Sequence, residues 1–126
     1  MDLTRTHVLI VDDEKAIRLG LAKCIASAGY LTTSASNGYE ALSMIEANRP
    51  DLIILDVMMD GMSGLELCRL IKKDPVTRDI KVIILSAKGQ LREQEKGFEA
   101  GADSYITKPF NYKELLATID KITGVS

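Results

Sequence analysis

The sequence predicts an α/β protein in which a parallel β-sheet is covered by helices on both faces. Three observations carry that expectation. The stretches "HVLIV" (7–11), "LIIL" (52–55) and "VIIL" (82–85) are short Val/Ile/Leu runs, each stopped by a polar residue, as strands buried on both faces are. Helical patterns lie between them, so β and α alternate five times through 126 residues with no linker, repeat or low-complexity tract. Two more polar candidates, "YLTTSA" (30–35) and "SYIT" (104–107), suit the edges of the sheet. Three central strands, two edge strands and right-handed crossovers give a flavodoxin-like, doubly wound (βα)5 fold with strand order 2-1-3-4-5.

Each helix has its own signature. In "EKAIRLGLAKCIASAG", Ile17, Leu21, Cys24, Ile25 and Ala28 recur at helical spacing, and Gly29 can supply a left-handed cap. "NGYEALSMIEA" opens with Asn37 and Glu40 at capping-box spacing, "SGLELCRLIKK" with Ser63 and Glu66, and "NYKELLATIDKI" with Asn111 and Glu114. The fourth predicted helix, over 90–100, differs from these. Leu91 and Phe98 are its large apolar residues among Arg92, Glu93, Gln94, Glu95, Lys96 and Glu99. So thin an apolar stripe packs weakly and suits an element that can move.

Composition excludes several classes of function. With 46% hydrophobic and 27% charged residues and a net charge of −2, the chain reads as one globular domain over 1–126. A slightly acidic domain is not expected to grip nucleic acid through phosphate neutralisation. No apolar run reaches the ~20 residues of a membrane span, and no leader pattern opens the chain, so the cytoplasm is expected. Cys24 and Cys68 fall in helical patterns without metal-ligand spacing and read as reduced core or groove residues; His7 reads as a strand-edge residue.

The chemistry lies at the carboxyl ends of the strands. Strand one ends in Asp12-Asp13-Glu14, strand three in Asp56, strand four in Ser86 and strand five in Lys108-Pro109. In a parallel sheet these ends share one rim, where ligands collect beside the reversal of strand order. Converging carboxylates repel unless a cation is present, and an all-oxygen, partly wet site favours Mg²⁺. Lys108 is a compact charge suited to a phosphoryl oxygen, and Ser86 can donate a hydrogen bond to another. Around one aspartate, these groups make a receptor for a phosphoryl group carried on that aspartate. Taken singly, each has a plainer explanation: Asp13 an N-cap, Asp56 a turn residue, Ser86 a cap and Lys108 a solvated cation.

Together the motifs "VLIVDDE", "PDLIILDVMM…G…G", "VIILSA" and "GADSYITKPF" resemble the receiver domain of two-component response regulators, the CheY-like family, from about His7 to Ile122. The resemblance implies that Asp56 accepts a phosphoryl group from a sensor histidine kinase or phosphotransfer protein. Asp13, Asp56 and the backbone carbonyl of Met58 would bind Mg²⁺, with Asp12 acting through water. Lys108 would hold a phosphoryl oxygen, Ser86 and Tyr105 would form the switch, and the Lys108–Pro109 bond would be cis. Such a domain catalyses only its own phosphorylation and slow dephosphorylation. Its output face would comprise the predicted helix over 90–100, the strand carrying Tyr105 and the last helix. That face would serve a downstream effector, a fused output domain or a homodimer. Asp60 departs from the family, which often has proline there; Met58 and Lys88 occupy positions where the family tunes hydrolysis. A Mg²⁺-dependent aspartyl phosphatase, the competing enzyme reading, would need a second carboxylate where Met58 stands.

Overall fold

The computed structural model describes residues 6–59, 61–86, 96 and 98–124. Five strands and four helices are assigned among them: β1 (His7–Val11), α1 (Lys15–Ser27), β2 (Leu31–Ala35), α2 (Gly38–Ala47), β3 (Leu52–Asp56), α3 (Gly64–Lys73), β4 (Lys81–Ser86), β5 (Ser104–Thr107) and α4 (Tyr112–Thr123). The strands form one parallel sheet in the order β2-β1-β3-β4-β5, as the sequence predicts. Most of the predicted helix over 90–100, together with Lys88 and Asp60, lies outside the described residues. Lys96, Phe98 and Glu99 are helical. No helix among the described residues is long and apolar enough to cross a membrane.

The alternation of side chains along each strand divides the core into two layers. Leu9, Val11, Ile53, Leu55, Val82 and Ile84 face α2 and α3, meeting Ala41, Ile45, Leu67, Cys68 and Ile71. Val8, Ile10, Leu52, Ile54, Ile83 and Leu85 face the other way, meeting Leu21 and Ile25 of α1 and Leu115 and Ile119 of α4. This two-sided burial is why the central strands read as continuous apolar runs. The edge strands keep exposed or half-buried polar positions, such as Thr32, Thr33 and Ser34 of β2.

Three helices begin as their sequences suggest. The side chains of Asn37, Ser63 and Asn111 accept the backbone N–H of Glu40, Glu66 and Glu114, and Ser63 with Glu66 completes a capping box. Each such cap stabilises its helix by about 1 kcal/mol. The start of α1 differs. Its N-cap is Glu14 rather than Asp13, Glu14 makes no side-chain capping bond, and the first turn holds no acid. The N-cap explanation of Asp13 therefore fails, which leaves its carboxylate available to the strand-end cluster.

Candidate functional site

Strand register sets the site. Val11 lies level with Leu55, so Asp12 leaves β1 at the height where Asp56 ends β3. Asp56 is level with Leu85 of β4, and Ser86 is level with Thr107 of β5, directly before Lys108. The N–H of Lys108 donates to the carbonyl of Ser86 at 2.6 Å, holding the two strand ends together. The Lys108–Pro109 bond is cis, as expected.

The acidic groups meet at this rim. Carboxylate oxygens of Asp12, Asp13 and Asp56 lie within 4.8 Å of one another. Asp12 and Asp56 are buried and Asp13 is exposed, so the cluster opens to solvent on Asp13's side. Lys108 places its Nζ 3.3 Å from Asp56 Oδ2, and the N–H of Met58 donates to Asp56 Oδ1 at 3.3 Å. Each oxygen of Asp56 thus faces a donor, but both distances are long, leaving room for stronger ligands.

Asp12 is held differently. Its Oδ1 accepts the N–H of Glu14 at 2.9 Å, while its buried Oδ2 has no hydrogen-bond partner among the described residues. Burial pushes the Asp12 carboxyl above its ordinary range; the Glu14 N–H opposes this, and the Asp56 charge adds to it. A buried carboxylate oxygen without a partner, in a residue clustered with two other carboxylates, is an unfavourable arrangement without a cation. A hard divalent ion with oxygen ligands fits this donor set.

Ser86 is buried at the end of β4 and belongs to the strand. Tyr105 lies on β5 next to Phe98, ring centroids 6.4 Å apart, and its hydroxyl is buried without a partner among the described residues. The structure therefore brings Asp12, Asp13, Asp56 and Lys108 together and sets Ser86 at the same rim. Met58 follows β3 with an exposed side chain, and Tyr105 stands two residues before the rim end of β5, level with Ile84.

Two further residues matter to this geometry: Gly64, the last glycine of the motif around Asp56, to which the sequence assigns no role, and Arg18, which lies in none of the quoted motifs. Gly64 opens α3 against the end of β3: a Cβ there would lie 2.1 Å from the Asp56 carbonyl oxygen. Arg18 donates from Nη1 to the Asp12 carbonyl at 2.8 Å. Both leave traces in the sequence. Glycine is a poor helix former for a capped first position, and arginine near a helix N-terminus opposes the helix dipole.

Residues 8–120 match the family model for the response regulator receiver domain. The chain belongs to this family. It is 46% identical over 115 residues to the phosphate regulon transcriptional regulatory protein PhoB of Pseudomonas aeruginosa, covering 91% of this chain and 50% of that protein. Among solved structures it resembles the signal receiver domain of a signal transduction histidine kinase from Syntrophus aciditrophicus. That match has a TM-score of 0.89 and 36% identity, covering 94% of this chain and 90% of the other. It also resembles Vibrio cholerae chemotaxis protein CheY4, with a TM-score of 0.88 and 31% identity over 93% of this chain and 98% of that one. The chain spans about half the length of the curated relatives it matches. A receiver domain of two-component response regulators has a phospho-acceptor signalling role, and the acidic rim is where this chain's residues suit it.

Proposed function

We propose that Asp56 is the phospho-acceptor, taking its phosphoryl group from a phosphohistidine of a sensor kinase or phosphotransfer protein. The observation that carries this reading is that Asp56 alone in the cluster is buried at a strand end with a lysine ammonium 3.3 Å away. A carboxylate oxygen attacks phosphorus, forming the O–P bond while the P–N bond breaks and its electron pair leaves with the imidazole. Lys108 then holds a phosphoryl oxygen, as a point charge at that distance can.

Mg²⁺ is the ion that best suits the acidic rim. Asp13, Asp56 and the carbonyl of Met58 would hold it directly, and Asp12 through water; when bound, it offsets charge on the transferring oxygens. Ser86 donates to the phosphoryl group and Tyr105 responds, coupling the site to an output face at Phe98, β5 and α4. The half-exposed Phe98 ring beside Tyr105 supports that coupling.

On this reading the domain acts on no separate substrate and works in the cytoplasm. Its output passes to an effector, a fused output domain or a second copy through that face. The test is incubation with phosphoramidate and Mg²⁺ followed by intact mass. Wild type gains one phosphoryl group and Asp56→Ala gains none; equal labelling of both would refute the assignment.

A further inference from the structure

We propose that Arg18 is a positioning residue for the cation site, holding Asp12 so that a single carboxylate oxygen is left to face the metal. The inference rests on the Mg²⁺-dependent reading above and extends it to a residue outside the acidic cluster.

The polar atoms of Asp12 account for themselves one by one. Its N–H donates to the Ala35 carbonyl of β2 at 3.2 Å. Its carbonyl accepts Arg18 Nη1 at 2.8 Å, and its Oδ1 accepts the Glu14 N–H at 2.9 Å. Only Oδ2 remains, buried and without a partner among the described residues, and the Asp12 carboxylate has an oxygen within 4.8 Å of ligand oxygens on Asp13 and Asp56. Three bonds thus fix the peptide and the carboxylate plane, and the fourth polar atom is the one left over for a ligand. Of those three partners, Arg18 is the one supplied by a side chain.

Arg18 also sits where local helix rules would not place it. The first turn of α1 carries Lys15 and no acid, and its N-cap makes no side-chain bond, whereas α2, α3 and α4 each have a capping Asn or Ser and an early Glu. A cation near a helix N-terminus opposes the macrodipole. Local choices that conflict with their element are expected where function sets the residue. The planar guanidinium reaches back across the first turn to a carbonyl that α1 itself cannot satisfy. Without that donor, the Asp12–Asp13 peptide loses its anchor on the α1 side, and two of the three clustered carboxylates lose their orientation together. Groups that orient metal ligands from outside the coordination shell typically govern affinity by about 10–100-fold.

The experiment compares wild type, Arg18→Met and Arg18→Lys. Methionine retains an apolar stem and removes the donor; lysine restores a single donor on a flexible chain. Mg²⁺ affinity is read by isothermal titration, and melting temperature is read in EDTA. The rate of phosphoramidate labelling is read as a function of Mg²⁺ concentration. The expected result is at least a tenfold weaker Mg²⁺ affinity for Arg18→Met and partial recovery in Arg18→Lys. The labelling rate at saturating Mg²⁺ should stay within about threefold of wild type, and the melting temperature in EDTA should hardly change. A lower melting temperature with unchanged Mg²⁺ affinity would make Arg18 a stabilising residue only and overturn the proposal. If Arg18→Met does not fold, Arg18→Lys stands in for it: weaker Mg²⁺ affinity together with displaced backbone amide shifts at Asp12–Glu14 supports the proposal, and wild-type affinity despite displaced shifts or a lower melting temperature in EDTA overturns it. Failure of wild type itself to bind Mg²⁺ would instead refute the underlying cation reading.

Discussion

The carbonyl oxygen of Asp56 occupies the space that a side chain on residue 64 would need: a Cβ built on Gly64 lies 2.1 Å from it and 2.8 Å from Leu55 Cδ1. The N–H of Gly64 meanwhile donates to the carbonyl of Val57 at 3.0 Å. The start of α3 is therefore locked against the backbone at the end of β3. The absence of a side chain at residue 64 helps fix where Asp56 stands.

Gly64→Ala should consequently destabilise the domain, although alanine is the better helix former. Overpacking against fixed backbone costs about 1–3 kcal/mol, visible as a lower urea midpoint with an unchanged slope. Phosphoramidate labelling should fall as well, because relief of the clash must move Asp56 or α3. An unchanged midpoint would mean that α3 can withdraw freely and that the contact is incidental.

Lys108→Met should separate metal binding from transfer. Removing the ammonium takes a positive charge away from the cation site, so Mg²⁺ affinity should hold or rise. Transfer loses a charged donor to the phosphoryl oxygens, a change of the kind that lowers rates by roughly 10²–10³-fold. Titration calorimetry and labelling kinetics at saturating Mg²⁺ measure the two effects separately. A parallel loss of both would place Lys108 in the structural support of the rim instead.

Metal and pH should act on Asp12 in opposite directions. Its pKa is raised above 3.8, chiefly by burial. Between 3.8 and the raised folded value the native state holds a proton that the unfolded chain has lost, so stability falls as pH rises through that window. Mg²⁺ favours the ionised form and should flatten this decline. Asp12→Asn should remove it and raise the melting temperature in EDTA. Melting curves from pH 4 upward, with EDTA or Mg²⁺, decide this; identical slopes in wild type and Asp12→Asn would contradict it.

A part-buried hydrogen bond lies far from the rim. The Tyr30 hydroxyl donates to Asp120, joining the entrance of β2 to α4, and burial together with that carboxylate pushes its pKa up to about 12. The native state keeps this proton after the unfolded chain loses it, so the stabilisation is complete below the ordinary value of 10.0 and disappears as pH rises toward about 12. Tyr30→Phe should cost about 1–2 kcal/mol at neutral pH and make the alkaline unfolding profile shallower. Equal urea midpoints for the two proteins would show that the bond contributes nothing.

How legible each feature is in the sequence depends on how local its cause is. The spans of β1 and β5 and the caps at Asn37, Ser63 and Asn111 follow from neighbouring residues, and all are present as read. β3 and β4 run one residue further into the site than their apolar runs, taking in Asp56 and Ser86, because pairing continues with Leu85 and Thr107. The convergence of Asp12, Asp13, Asp56 and Lys108 is legible because parallel register makes strand ends coincide. The roles of Gly64 and Arg18 depend on contacts set by the packing of α3 and by the path of the β1–α1 loop. The Tyr30–Asp120 bond joins residues 90 positions apart. Their residue types hint at constraint without naming the partner.

The central claim is that Asp56, and no other carboxylate at the rim, carries the phosphoryl group, and that a divalent cation is needed to put it there. Its most direct test is to label the protein with phosphoramidate, with Mg²⁺ or with EDTA, and reduce the product with borohydride, which converts an acyl phosphate of aspartate to homoserine. Peptide mass mapping should find homoserine at position 56 in the Mg²⁺ sample alone. Homoserine at position 12 or 13, or equal conversion in EDTA, would contradict the account.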